Sequence, residues 1–311
     1  MGTDIVIAAL LDNNQEEILV TSEKIILDFE KRFSRFVDGN ELSIFNQSLY
    51  QKREVSPMLL ELLKEIKYYY VETKGVFDPT IINSLEAVGY NKSFDKINLA
   101  TNAKNKQHLD IDKVKLDFNT RSKLDELKIE GALVDCPKNL KIDLGGIGKG
   151  YIVDFLSKDI FLGVENYWIS AGGDLIAVGN DVNQIGWDID VQNPFEPDKD
   201  IFFINTQGKK TGIATSGIIK RTGFSGDFKW NHIIDSRTGL PIENNILSVT
   251  ALSSSVTRAD IFAKTVLILG EEKGLEFINN KLDAACIIFT KDKKIIYSNQ
   301  AKPFLKKYEE K

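Results

Sequence analysis

The sequence predicts an α+β protein: a single compact domain over residues 1–311 in which an N-terminal helical layer packs on a strand-rich C-terminal half. Three observations predict it. Helical spacing of apolar residues dominates residues 14–73, and short strand-like runs dominate residues 166–253. The order of the two is not the repeating βαβ series of a doubly wound nucleotide fold. No repeat of 20–50 residues and no low-complexity linker interrupts the chain. A split near residues 100–110 is the alternative partition.

Residues 4–11 read as a strand. Residues 14–35 read as an amphipathic helix, because Ile18, Thr21, Ile25, Phe29 and Phe33 recur at helical spacing. Ser34 to Asn40 breaks it, and Glu41 to Tyr50 restarts as a short helix capped by Asn40. A helix is expected over 56–73, ending before Lys74-Gly75. In Val76-Phe77-Asp78-Pro79-Thr80 the proline holds Asp78 extended. Residues 90–107 are polar and loop-like, while 108–118 and 128–135 alternate as half-exposed strands do. A helix at 151–158 follows a glycine-rich turn. Strands are expected at 166–170, 174–178, 187–192, 201–206, 211–215, 229–234 and 246–253. Helices follow at 257–269 and 271–280, and strands at 284–290 and 293–298 close the chain.

Composition narrows the function classes. Hydrophobic residues make up 42% and charged residues 27% of 311, enough to bury a core without disulfide or metal staples. A net charge of −5, with lysines scattered among acids, argues against nucleic acid as a partner. Cys136 and Cys286 lie far apart beside apolar residues, which favours two buried thiols over a disulfide. Two histidines in all argue against a His/Cys metal centre. No run approaches the ~18 apolar residues of a membrane span. Met1 to Leu11 lacks the basic region of a signal peptide, and no lipobox is present. The chain as written is therefore expected to be cytoplasmic, with an exported relative trimmed at its N-terminus as the second reading.

The segment Lys141 to Asp154 carries the most chemistry. Four glycines fall in the six residues 145–150, beside Lys149 and close after Asp143. Glycines at a strand-to-helix turn let backbone approach a ligand, and the helix start suits a phosphate. A turn that only packs a helix on a sheet explains the segment equally well. Ser170 to Asp174 is a tight strand-to-strand turn. Thr215 and Ser216 place two hydroxyls before Gly217, either to donate to phosphate oxygens or to cap a turn. His232, taken alone on a strand, is more often structural than catalytic. The run Asp235-Ser236-Arg237-Thr238-Gly239 is a β-turn. Asp260 and Lys264 share a helix face, which is either an ordinary i,i+4 ion pair or part of a site. That helix is apolar on nearly every side, so it is expected to be buried, and a buried Asp260 needs a cation.

In order along the chain these segments resemble the ApbE-like FAD:protein FMN transferases, which attach FMN covalently to a threonine of a partner protein. The resemblance runs through Met1-Gly2-Thr3, Phe33 to Phe36 with Ser43 to Asn46, and Gly75 to Thr80. It continues through Asp143 to Asp154, Gly172 to Asp174, Ala214 to Gly217, His232 to Gly239, and Ala259 to Gly270. It implies FAD as substrate and Mg²⁺ as cofactor. The Gly146 carbonyl and the Asp260 carboxylate would hold the metal. Met1, Phe36, Phe77, Asp78, Pro79, Asp143, Lys149, Thr215 and the neighbourhood of Ile234 would hold FAD, with Phe36 beside the isoalloxazine ring. One carboxylate, one carbonyl and a pyrophosphate form a normal Mg²⁺ complement. The acceptor hydroxyl would attack the FMN phosphorus and AMP would leave, with Lys149 offsetting charge and His232 as candidate base.

Two departures from the family pattern stand out. Lys264 occupies a position that is usually threonine; it stands either as a fixed cation near the pyrophosphate or as the partner of Asp260. Ser236 replaces a common proline. An FAD pyrophosphatase and a flavin-binding protein without turnover are the competing readings. Phe36 favours the transferase over the former, and Asp260 with Lys149 argues against the latter. The chain contains no Ser/Thr-Gly-Ala-Ser/Thr segment of the sort such enzymes modify, so the expected acceptor is another protein that carries one.

Overall fold

The structure, a computed structural model, describes residues 2–12, 15–47, 51–88, 90, 111–121, 123–196, 200–219, 222–225 and 228–307. It is mixed helix and sheet, as predicted. The chain divides into two units built from interleaved segments. The first comprises Met1–Gly2, Phe29–Gly146 and Lys220–Glu243; the second comprises Thr3–Asp28, Ile147–Ile219 and Asn244–Lys311.

The second unit is organised by a seven-stranded antiparallel sheet. Its order is Ile5–Ala9, Tyr167–Ala171, Asp174–Val178, Thr211–Gly217, Ile246–Ser253, Ala285–Thr290 and Ile295–Tyr297. Its inner strands are buried on both faces, alternate side chains entering different clusters. Leu175 and Ala177 face one cluster with Phe202, Ile204 and Phe289. Ile176, between them, faces the other with Val153, Leu156, Ile169 and Val256. The turn at Gly172-Gly173 joins Ala171 to Asp174, and both glycines have positive φ (64° and 95°), the conformation a two-residue hairpin needs. A second small sheet pairs Leu305–Lys307, Asp200–Asn205 and Asp188–Gln192.

The first unit is a helical layer with two small sheets. Helix Pro57–Glu72 starts on a proline at its first turn, and Ser56 caps it by accepting the Leu59 N–H at 3.2 Å. Its Leu59, Leu62, Leu63 and Ile66, at helical spacing, are buried. Asn40 caps as expected, accepting the Ser43 N–H at 2.8 Å, but the helix it starts is Glu41–Asn46, ending before the expected Tyr50. The strand Gln51–Glu54 pairs Leu133–Cys136, which also pairs Lys128–Glu130. Thr222–Ser225 pairs Phe228–Asn231.

Several sequence expectations are corrected. Residues 108–118 were expected as a strand, but Ile111–Asn119 is a helix. Alternation and helical spacing both fit its apolar residues; the helix wins because Val114 and Phe118 are buried together while Leu116 is 62% exposed. The expected strand 128–135 is a hairpin turning at Gly131. The strand expected at 229–234 stops at Asn231. There the Asn231 side chain takes over: it accepts the Ile233 N–H at 3.0 Å and donates to the Ile242 carbonyl at 3.0 Å. Thr211–Gly217 runs past its expected end at 215. The strands Gln51–Glu54, Thr222–Ser225 and Leu305–Lys307 and the helix Ile82–Ala87 were not anticipated. The polar loop expected at 90–107 lies outside the described residues save Tyr90.

Candidate functional site

The two units each carry one cluster of predicted site residues. In the second unit the helix Gly148–Phe155 begins inside the glycine-rich turn, without a side-chain cap. Lys149 Nζ donates to Asp174 Oδ2, and the Asp174 side chain is 2% exposed. Asp174 Oδ1 accepts the Thr215 N–H at 3.1 Å, and the Thr215 and Thr250 hydroxyls meet at 2.9 Å. A line of polar groups thus runs from the lysine across three strands. Thr215 lies within its strand and is exposed, so its hydroxyl caps no turn.

The same helix is locked to Val256–Leu269. A Cβ on Gly150 would lie 2.6 Å from Thr257 Cα, so only glycine permits this approach. Four residues on, Asp154 accepts the Val256 and Thr257 N–H groups at 2.9 and 2.8 Å. It caps a helix to which it does not belong. Burial pushes the Asp154 carboxyl above the usual carboxylate range, against the opposing pull of its hydrogen bonds to Thr257 and Val256. Ser255 adds the ordinary cap, accepting the Arg258 N–H at 3.2 Å.

One turn into this helix lies Asp260, 1% exposed, as its all-round apolar sequence requires. Lys264 Nζ donates to its Oδ1. Its Oδ2 is buried without a hydrogen-bond partner. A buried carboxylate oxygen left in that state is costly unless a cation or donor comes to it. Among the described residues no group of three or more His, Cys, Asp or Glu side chains is placed to hold a metal. Asp260 Oδ2 nevertheless fits a hard cation that takes one protein carboxylate oxygen and keeps its waters.

The first unit holds an aromatic cluster built on Arg35. Its Nε lies 3.1 Å from Asp143 Oδ1, its Nη2 donates to the Tyr90 carbonyl at 2.6 Å, and its side chain is 6% exposed. The guanidinium lies over the Phe36 and Tyr90 rings, 4.3 and 5.0 Å from their centroids. Phe36 meets Tyr90 edge to face at 6.3 Å, and Tyr90 meets the His232 ring at 6.1 Å. Phe36 is 39% exposed, so part of its side chain stays accessible beside these contacts.

Asp143 donates its N–H to the Pro79 carbonyl at 2.9 Å, which ties the cluster to the next predicted residues. Asp78 is buried. Its Oδ1 accepts from the Thr80 N–H and hydroxyl at 2.8 and 2.6 Å, and its Oδ2 from Arg121 Nη2 at 2.7 Å. Phe77 and Pro79 are buried too, as is Ile234, which packs on Leu85, Val88 and Trp230. Ser236 donates to the Gly75 carbonyl at 2.8 Å, so the serine that stands in the usual proline position anchors the turn. His232 stands just past a strand end, partly exposed, and not on the strand where it was expected. Met1 lies outside the described residues.

The structure therefore gathers Phe36, Phe77, Asp78, Pro79, Asp143 and His232 in the first unit, and Lys149, Thr215, Asp260 and Lys264 in the second. Gly146 ends the segment Phe29–Gly146 of the first. Sequence reasoning gave no role to Arg35, Tyr90, Arg121, Asp154 or Asp174. Arg35, Asp154 and Asp174 did stand in segments quoted from the sequence, and Asp154 lies on the face of Gly150 four residues on, a readable signal. Arg121 and Tyr90 gave none.

Comparison with known proteins agrees with this assembly of segments. The family model described as the ApbE family matches residues 1–288. The FAD:protein FMN transferase of Vibrio cholerae is 28% identical over 294 residues, spanning 92% of this chain and 84% of that protein. The FAD:protein FMN transferase of Haemophilus influenzae is 27% identical over 292 residues, spanning 92% and 81%. Among solved structures, the flavin transferase ApbE from Vibrio cholerae superposes with a TM-score of 0.80 at 25% identity, covering 98% of this chain and 96% of that one. The ApbE protein of Thermotoga maritima shares the fold, with a TM-score of 0.83 at 22% identity over 97% and 96% of the two chains.

Proposed function

This chain belongs to the ApbE family, and from that premise we propose that it transfers FMN from FAD to a threonine or serine hydroxyl of an acceptor protein. The hydroxyl oxygen bonds to the FMN phosphorus, the bond from that phosphorus to the bridging oxygen breaks, and AMP leaves. The hydroxyl proton passes to a base. The observation that carries the reading is the buried Asp260 with its unpartnered Oδ2, on a helix locked to the one that bears Lys149. Binding a flavin without turnover needs no such carboxylate.

The residues divide the work. Phe36, with Arg35 and Tyr90 behind it, offers a flat ring face to the isoalloxazine. Asp78 and Asp143, each held by an arginine, fix the loops that would bind the dinucleotide. Lys149, oriented by Asp174, offsets charge on the phosphate oxygens. Asp260 and the Gly146 carbonyl are the magnesium ligands in this proposal. Bound Mg²⁺ would supply the remaining positive charge at the pyrophosphate. His232 is the base. If His232→Asn leaves turnover at saturating FAD within a factor of a few, His232 is not that base. The acceptor is a protein with a Ser/Thr-Gly-Ala-Ser/Thr-like site.

The test is incubation with FAD, Mg²⁺ and an acceptor carrying such a site, followed by fluorescence of the denatured acceptor on a gel. A fluorescent acceptor band with stoichiometric AMP is the expected result. Free FMN plus AMP with a dark acceptor would make the chain an FAD pyrophosphatase, and unchanged FAD would make it a flavin binder.

A further inference from the structure

Asp260 is half satisfied. Both its oxygens are out of water, yet only Oδ1 has a partner, and that partner is a cation from the same helix, one turn on. The Lys264 side chain is 17% exposed, and the helix around the pair buries Ile261, Phe262, Ala263, Val266 and Leu267. In such surroundings charges interact more strongly than in water. A divalent ion arriving at Oδ2 therefore meets a carboxylate whose charge an ammonium already answers, and meets that ammonium's repulsion as well. The carboxylate cannot chelate with both oxygens unless the lysine leaves.

We infer that Lys264 is a resident cation that weakens divalent-ion binding at Asp260: it holds Oδ1, leaves Oδ2 as the only carboxylate oxygen on offer, and supplies one positive charge that the ion would otherwise bring. The inference rests on the reading of Asp260 as the metal carboxylate. Lys264 touches Asp260 and is a positioning residue in this account, not a catalytic one.

The test is direct binding of Mn²⁺ to the full chain, by calorimetry or by the electron-spin signal of the free ion, with neither FAD nor acceptor present. Lys264→Met removes the charge while keeping an unbranched, helix-favouring side chain. It is expected to bind Mn²⁺ at least about tenfold more tightly than the wild type. Lys264→Arg keeps the charge and is expected to stay within about threefold of the wild type. Adding Asp260→Asn to Lys264→Met is expected to abolish the gain. Should Lys264→Met fail to fold by circular dichroism, Lys264→Gln carries the same expectation. Equal affinities in the wild type and the neutral variant, including no binding in either, overturn the inference, as does a gain that survives Asp260→Asn. A chain that shows the expected Mn²⁺ affinities yet leaves every acceptor dark overturns the transferase reading and not this one.

Discussion

Asp143 and Asp260 each pair with a cation, and the settings of the two pairs differ. Asp143 meets an arginine that is also hydrogen-bonded to the Tyr90 carbonyl and layered against two rings. The guanidinium plane is fixed from several sides. Asp260 meets a lysine, a point charge on a flexible stem, and keeps one buried oxygen unanswered. The first arrangement suits holding a flat ligand; the second suits charge that changes during a reaction. The aromatic cluster should thus govern affinity for FAD and the acid–lysine cluster the rate of transfer.

That contrast is most exposed to Asp260→Asn and Lys149→Ala. Each is expected to lower single-turnover flavin transfer by about 10²–10³-fold, or about 2.7–4 kcal/mol, with the KM for FAD little changed. If either variant instead raises KM and spares the rate, the division is wrong. Asp174→Ala strips Lys149 and the Thr215 N–H of a buried partner, and should cost about 2–3 kcal/mol in urea unfolding. Gly150→Ala pushes a methyl group against Thr257 backbone and should cost about 1–3 kcal/mol by the same measurement. An unchanged midpoint there would show that the two helices can separate. Arg35→Ala should raise the KM for FAD about tenfold, or about 1.4 kcal/mol, with kcat within about threefold of the wild type. A larger loss in kcat than Lys149→Ala produces would reverse the comparison.

The smallest effect lies outside both clusters. Burial pushes the Cys286 thiol up to about 12 and the Cys136 thiol up to about 11. The thiolate is the reactive form, so at pH 8 roughly a thousandth or less of either thiol is reactive in the folded chain. Labelling with a thiol reagent should be negligible until urea unfolds the protein, and rapid labelling in native buffer would refute the burial of these side chains.

How much of this was legible in the sequence follows the same division. The helix Val256–Leu269 could be read because apolar residues on every side leave burial as the only outcome, and a buried Asp260 then demands a cation. The Gly172-Gly173 hairpin was equally plain. Of the aromatic cluster only Phe36 and His232 were named; the Arg35–Tyr90 contact was not, because its partners are 55 residues apart and no local spacing joins them. The helix Ile111–Asn119 misled because its apolar spacing serves two periodicities, and only packing chooses between them. His232 was misplaced by one residue because Asn231, a polar residue in an apparent strand, ends the ladder with its own side chain.

The contact at Gly150 has a consequence for how such a centre can change. With backbone seated on backbone at Gly150, and Asp154 on the same face holding the same helix start, the two helices form one mount that cannot draw closer. Substitutions that retune the centre proposed here would have little geometry to work with, and would act through the sign and number of charges set on the mount, position 264 foremost among them.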